Sequence, residues 1–146
     1  MLIIKEIKAR EILDSRGFPT VECDILLSDN SFGRASVPSG ASTGIHEAIE
    51  LRDIENKRYY GKGVKNSIKN IHDIFSPLLI NKHFSGLSDF DQKLIKIDST
   101  ENKSKYGANT ILALSLAFTK ALSNHSRKDL FNFLSFDQSY ILPVPM

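Results

Sequence analysis

Apolar and polar residues alternate near the start of the chain. In residues 19–28, the positions Val21, Cys23, Ile25 and Leu27 are apolar and most of the residues between them are polar. A period of two residues is typical of a β-strand that has one buried face. We therefore predict a strand here, in which Cys23 acts as a small buried hydrophobic side chain.

Two flanking segments, residues 2–13 and 31–37, also have the composition of strands. The intervening residues 14–17 and 28–30 are rich in Asp, Ser, Asn and Gly, which favour turns. Connections this short usually join antiparallel neighbours. The first quarter of the chain therefore predicts a three-stranded antiparallel meander.

A helical period replaces the alternation after Gly44. The pattern predicts, in chain order, a short helix over residues 46–53, an apolar stripe of Val64, Ile68, Ile71, Phe75 and Leu78, a second stripe of Phe90, Leu94 and Ile97 capped by Ser88 or Asp89, a buried helix over residues 108–122 and a last amphipathic turn over residues 129–134. Strands followed by helices are typical of an α+β domain, here a meander followed by a helical subdomain.

Composition and charge narrow the function classes. The 146 residues suit one compact domain, and the formal net charge of +2 provides no strong field for nucleic acid or an anionic membrane. The longest apolar stretch, residues 111–122, is shorter than the roughly 20 residues that span a bilayer. One cysteine and an N-terminus without the pattern of a signal peptide lead us to expect a cytoplasmic protein.

Several short stretches along the chain are informative through their sequence, order and spacing. They are residues 14–22 (DSRGFPTVE), 37–44 (VPSGASTG), 47–53 (EAIELRD), 61–64 (GKGV), 100–109 (TENKSKYGAN) and 142–145 (LPVP). In order and spacing, they resemble the N-terminal capping domain of the enolase family. Phe18 stands where that family usually has asparagine, and Ser99 where it usually has glycine.

The resemblance implies a domain organisation and a reaction. Residues 1–138 would be the capping domain, and residues 139–146 the start of a C-terminal barrel domain that is missing from this chain. Enolases reversibly dehydrate 2-phosphoglycerate to phosphoenolpyruvate in glycolysis, with two Mg²⁺ ions per active site. Because the general base, the general acid and the carboxylates of the first magnesium site belong to the barrel, we expect the chain to be inactive alone.

The resemblance also implies specific roles within this chain. The segment that matches the mobile substrate loop of the family comprises Ser39, Gly40, Ala41, Ser42, Thr43 and Gly44. Its two outer glycines provide backbone freedom, and its hydroxyl groups are neutral hard oxygens of the kind that magnesium accepts. By resemblance, Ser42 is the ligand of the second magnesium ion, through its hydroxyl and its own carbonyl.

A homodimer is a further implication of the family resemblance. Arg10 and Glu22 match positions that form ion pairs with the barrel of the other subunit. In a chain without that barrel, we expect both side chains to be solvated strand residues.

Two other function classes remain as alternatives. Residues 40–44 (GASTG) match the G-x-S-x-G pattern of serine hydrolases, but that pattern requires a parallel sheet. Residues 57–65 interleave basic and aromatic side chains, as a stand-alone module that binds RNA or protein could. The competing interpretation of residues 57–65 is a solvated turn whose tyrosines pack inward.

Overall fold

The computed structural model describes residues 3–39, 44, 47–55, 57–135 and 144. Strand β1 spans Ile4–Leu13, β2 spans Pro19–Leu27 and β3 spans Phe32–Ser36. They form one antiparallel sheet in the order β1-β2-β3, with Ala9 opposite Cys23 and Cys23 opposite Ala35. The predicted meander is therefore confirmed, as is the α+β class.

The helical subdomain follows the sheet. Its helices are α1 (Lys65–Asn70), α2 (Ser76–Leu79), α3 (Leu87–Asp98), α4 (Ala108–His125) and α5 (Leu130–Leu134), and a π-helical segment, Ile71–Phe75, joins α1 to α2. Helix α4 packs across β2 and β3. Because α4 lies between the sheet and the other helices, apolar residues occupy most of its circumference, as the sequence predicted.

The core lies between the sheet and α4. The alternating positions Val21, Cys23, Ile25 and Leu27 of β2 are all fully buried there. Burial in this apolar layer raises the pKa of the Cys23 thiol to about 12, which keeps it protonated and unreactive.

The predicted short helix over residues 46–53 is wrong for its described part. Residues 47–53 carry no helix, because their backbone groups bond to distant segments instead of to one another. Ile49 donates its N–H to the Asn102 carbonyl (2.8 Å), and Asp53 donates to the Gly63 carbonyl (2.9 Å). These bonds hold a non-helical conformation despite the helical spacing of the apolar residues.

The apolar stripe of the first helical region is shifted at its end. We predicted that Leu78 would continue the buried face, but Leu78 is exposed and Leu79 is buried. The Ser76 N–H bonds to the Ile71 carbonyl five residues back, so this π turn holds one residue more than an α turn. The extra residue moves the buried position from 78 to 79.

The predicted cap of α3 is also wrong. The residue before the helix is Gly86, and neither Ser88 nor Asp89 caps the first turn through its side chain. The Asp89 carboxylate instead reaches back to accept bonds from the N–H (3.0 Å) and hydroxyl (3.1 Å) of Ser85. These bonds lower the pKa of Asp89.

Candidate functional site

The segment of residues 39–44 is the main candidate site, and the structure describes its two ends. Ser39 follows β3, while Gly44 accepts a bond from the Glu47 N–H (3.2 Å). The intervening Gly40, Ala41, Ser42 and Thr43 lie outside the described residues. The expected magnesium ligand, Ser42, is therefore not among the residues whose positions are known.

Two arginines hold Ser39 from different sides. The Arg16 guanidinium donates to the Ser39 carbonyl oxygen (3.1 Å), and the Arg52 guanidinium donates to the Ser39 hydroxyl (2.9 Å). Val37 is fixed two residues earlier, because its N–H bonds to the Val21 carbonyl and its carbonyl accepts the Thr20 hydroxyl (2.8 Å). The segment therefore starts from a fixed point next to the sheet.

The turn between β1 and β2 positions Arg16. One Asp14 oxygen accepts the N–H groups of Arg16 and Phe18, each at 2.9 Å, and these bonds hold the turn closed. The backbone bond from Phe18 is the largest cause that lowers the pKa of Asp14, so its carboxylate stays ionised. Gly17 has φ +77°, a left-handed conformation that favours glycine and lets the chain reverse.

The surroundings of Ser39 do not suit a metal ion. Both of its oxygens already accept bonds from guanidinium groups, and two positive charges disfavour a cation. No group of three or more His, Cys, Asp or Glu side chains within the described ranges could hold a metal. The described start of this segment, around Ser39, is therefore unsuited to a cation.

A charged network covers the outer face of the sheet and includes both expected dimer residues. Arg10 bonds to Glu22 and Asp24 on the neighbouring strand, and Arg34 on β3 makes a two-pronged pair with Asp24 (2.7 and 2.8 Å). The Ser36 hydroxyl donates to Glu22 (3.0 Å). Bonds from Arg34 and then Arg10 lower the pKa of Asp24 to about 2, although partial burial opposes this shift.

This network differs from our expectation for Arg10 and Glu22. We expected solvated side chains, but the Glu22 side chain is 16% exposed and pairs with Arg10 directly across the strands. The two residues face each other in the antiparallel register, so opposite charges at these positions attract. The network is thus satisfied within the chain.

The geometry argues against the serine hydrolase alternative. The sheet of the described residues is antiparallel, whereas that alternative requires a parallel one. The last histidine, His125, contacts Asp29 (2.5 Å) just beyond the end of β2, whereas Ser39 lies near its start. A nine-residue strand spans roughly 25–30 Å, so Ser39 and His125 lie at opposite ends of the sheet. The serine of the pattern, Ser42, lies outside the described residues, so the antiparallel sheet is the evidence against a hydrolase.

The basic and aromatic segment, residues 57–65, is only partly available for binding. Tyr60 is exposed, so the interpretation that both tyrosines pack inward is wrong. Arg58 lies over the Tyr59 ring (4.5 Å) and pairs with Glu11, while Lys62 lies over the Phe18 ring (3.7 Å). Arg58 and Lys62, two of the cations in residues 57–65, therefore already contact other side chains of this chain.

The role of Arg52 was not predictable from the sequence. Arg52 is one position in a matching stretch, and a lone arginine between Glu50 and Asp53 is common on exposed surfaces. The signal would have been its low exposure, which a sequence does not show: its side chain is 17% exposed. The role of Arg16 was missed for a different reason: its side chain is 44% exposed, but its partner Ser39 lies 23 residues away in sequence.

Comparisons with known proteins agree on one family. The sequence profile described as "Enolase, N-terminal domain" matches residues 4–134. The protein named Enolase 1 of Chlorobaculum tepidum is 49% identical over 142 residues, which cover 97% of this chain and 33% of that relative. The chain spans about a third of the length of this relative.

None of the described helices combines the length and the apolar character that crossing a bilayer requires.

Proposed function

Because this chain belongs to the family of enolase N-terminal domains, we propose that it is the capping domain of a magnesium-dependent lyase. The proposed reaction is the reversible dehydration of 2-phosphoglycerate to phosphoenolpyruvate in cytoplasmic glycolysis. The observation that carries this proposal is the complete sequence VPSGASTG at residues 37–44, with its start held between β3, Arg16 and Arg52.

The chain's own contribution would be the substrate loop. Ser42 would provide a hydroxyl and a carbonyl oxygen to the second magnesium ion, and the remaining ligands would come from the barrel and the substrate. When bound, magnesium neutralises charge that develops on the substrate carboxylate as its neighbouring carbon loses a proton. Neutral serine oxygens bind a cation weakly, so occupancy would depend on substrate.

The remaining parts of the proposal concern domains and assembly. We place the domain boundary between residues 138 and 139, which is supported by a family match that ends at residue 134. In a homodimer, Arg10 and Glu22 would pair with the barrel of the other subunit. They would then exchange their present partners, the neighbouring side chains of the sheet, for partners across the interface.

A magnesium titration tests the role of Ser42. The protein would be a chimera in which this chain replaces the matching N-terminal part of Enolase 1 from Chlorobaculum tepidum. We expect Ser42→Ala to raise the Mg²⁺ concentration for half-maximal turnover by at least about tenfold, because a direct ligand is lost.

The matched control for this titration is Ser31→Ala. Ser31 is also a serine in a loop, but its hydroxyl bonds only to Asp29 beyond the far end of β2. This variant should titrate like the unmodified chimera. If Ser42→Ala and Ser31→Ala had the same magnesium dependence, the assignment of Ser42 as a ligand would be wrong.

A further inference from the structure

Residues 49–53 form a non-helical segment, called the strut below, that is hydrogen-bonded to other segments at several points along its length. The buried Asn109 side chain binds both backbone groups of Leu51: its oxygen accepts the Leu51 N–H (3.1 Å), and its amide donates to the Leu51 carbonyl (3.0 Å). Ile49 bonds to the backbone of Asn102 and of Ala108. Helix α4 and the loop before it therefore hold this half of the strut.

Close packing at Gly107 confirms how tightly the strut lies against α4. A Cβ atom at Gly107 would be 2.5 Å from the Leu51 Cβ and 2.6 Å from the Asn109 oxygen. No side chain fits at such distances, so glycine is required for the contact.

The other end of the strut is held by Asp53. Its buried carboxylate accepts the N–H groups of Lys65 (2.8 Å) and Asn66 (3.1 Å) at the start of α1. Its own N–H bonds to the Gly63 carbonyl (2.9 Å). Arg52 thus lies between two residues, Leu51 and Asp53, that are both fixed to helices.

The Arg52 side chain connects the strut to three other segments. One terminal nitrogen donates to the carbonyls of Pro19 (2.6 Å) and Lys62 (2.7 Å), and the other donates to the Ser39 hydroxyl (2.9 Å) and the Glu50 carboxylate (2.6 Å). A planar guanidinium presents several donors in a fixed fork, whereas a lysine ammonium on a flexible stem cannot reproduce this geometry.

We propose that Arg52 is a positioning residue for the substrate loop. Because the strut is fixed, the bond from Arg52 restrains the position of Ser39, the first residue of the segment that contains Ser42. Only the expected effect on the active site rests on the proposed function. The effect on Ser39 itself occurs in the chain alone.

The direct test is nuclear magnetic resonance on the chain of 146 residues. In Arg52→Lys, we expect the backbone order parameter of Ser39 to fall from about 0.85 to below about 0.6. The Val37 N–H, which bonds to the Val21 carbonyl, should stay protected from hydrogen exchange because the sheet remains intact. The matched control is Arg34→Lys, which removes the same guanidinium fork from the outer face of the sheet.

A second variant isolates the single bond between Arg52 and Ser39. Ser39→Ala removes only the hydroxyl and leaves the other acceptors of Arg52 in place, so it remains informative if Arg52→Lys weakens the fold. Ser39→Ala alone should lower the backbone order parameter of residue 39. Added to Arg52→Lys, it should lower this order parameter no further. If the order parameter of Ser39 were unchanged in Arg52→Lys, the proposal would be overturned.

The consequence for function is measured in the chimera with the Chlorobaculum tepidum barrel. Arg52→Lys should raise the Mg²⁺ concentration for half-maximal turnover by about tenfold with a smaller change in kcat, while Arg34→Lys changes neither. If the unmodified and Arg52→Lys chimeras had the same magnesium dependence, the positioning role of Arg52 would be refuted and the proposed function would stand. An inactive unmodified chimera would instead count against the proposed function, since the change at Ser39 is measured separately.

Discussion

At the scale of single residues, Asp24 is the centre of the charged face of the sheet. Its carboxylate accepts bonds from Arg34 on one neighbouring strand and from Arg10 on the other. Asp24 is 8% exposed, so its charge would be costly without these partners. The two arginines thus explain why a carboxylate is tolerated within a nearly buried strand.

Replacement of this carboxylate should weaken the fold and change its acid dependence. The pKa of Asp24 is lowered from 3.8 to about 2, so its stabilising effect is present above pH 4 and is lost as the pH falls through 2. We expect Asp24→Asn to lower the free energy of unfolding at pH 7 by about 2 kcal/mol. Urea unfolding at pH 7 and at pH 2 measures both effects.

The control for Asp24→Asn is Asp73→Asn, an exposed aspartate in the π-helical segment. This variant should unfold like the unmodified chain at both pH values. A loss of stability in Asp24→Asn that is as large at pH 2 as at pH 7 would contradict the ionic explanation, because at pH 2 about half of the folded molecules carry a protonated Asp24 and most of the ionic stabilisation is lost.

At the scale of elements, the packing of β3 against α4 depends on Gly33. A Cβ atom at this position would lie 2.0 Å from the Ala117 carbonyl oxygen and 2.4 Å from the Ala121 nitrogen. These are backbone atoms in the middle of a helix and cannot move aside individually. The strand and the helix backbone therefore approach each other directly.

Substitution of Gly33 should separate these two elements. We expect Gly33→Ala to cost about 3 kcal/mol or more, because α4 must shift as a unit away from the sheet. Thermal unfolding followed by circular dichroism measures this loss. Gly86→Ala is the matched control, because nothing lies within 4 Å of a Cβ there and its backbone is extended; similar melting temperatures for the two variants would refute the packing argument.

The sequence predicted those elements whose periodicity agrees with their packing. The strands were predictable because alternation in β2 and the short turns on either side pointed to the same sheet. Helix α4 was predictable from its nearly continuous apolar character. In both cases, local pattern and tertiary contacts favour the same structure.

The failures occurred where distant contacts override local pattern. Residues 47–53 have helical spacing but bond to Asn102, Gly63 and the Asn109 side chain, which lie far away in sequence. Ser99 has φ +59° at the end of α3, a conformation that the family's usual glycine adopts at lower cost. Likewise, the two bonds that hold Ser39 come from Arg16 and Arg52, which lie 23 and 13 residues away in sequence.

At the scale of the whole molecule, the chain has two structural layers with different surfaces. One face of the sheet packs on α4, and the other carries the paired charges of Arg10, Glu22, Asp24 and Arg34. Near the start of β2, the strut and the β1–β2 turn jointly fix Ser39. Ser39, the first residue of the candidate loop, is thus held at one end of the sheet.

We propose that this chain acts as an enolase cap and requires a barrel for catalysis. The most direct measurement is the conversion of 2-phosphoglycerate to phosphoenolpyruvate in the presence of magnesium, by the chain alone and by the Chlorobaculum tepidum chimera. We predict no turnover by the chain and turnover by the chimera. Turnover by the chain alone, or a folded chimera that binds magnesium without turnover, would contradict the claim.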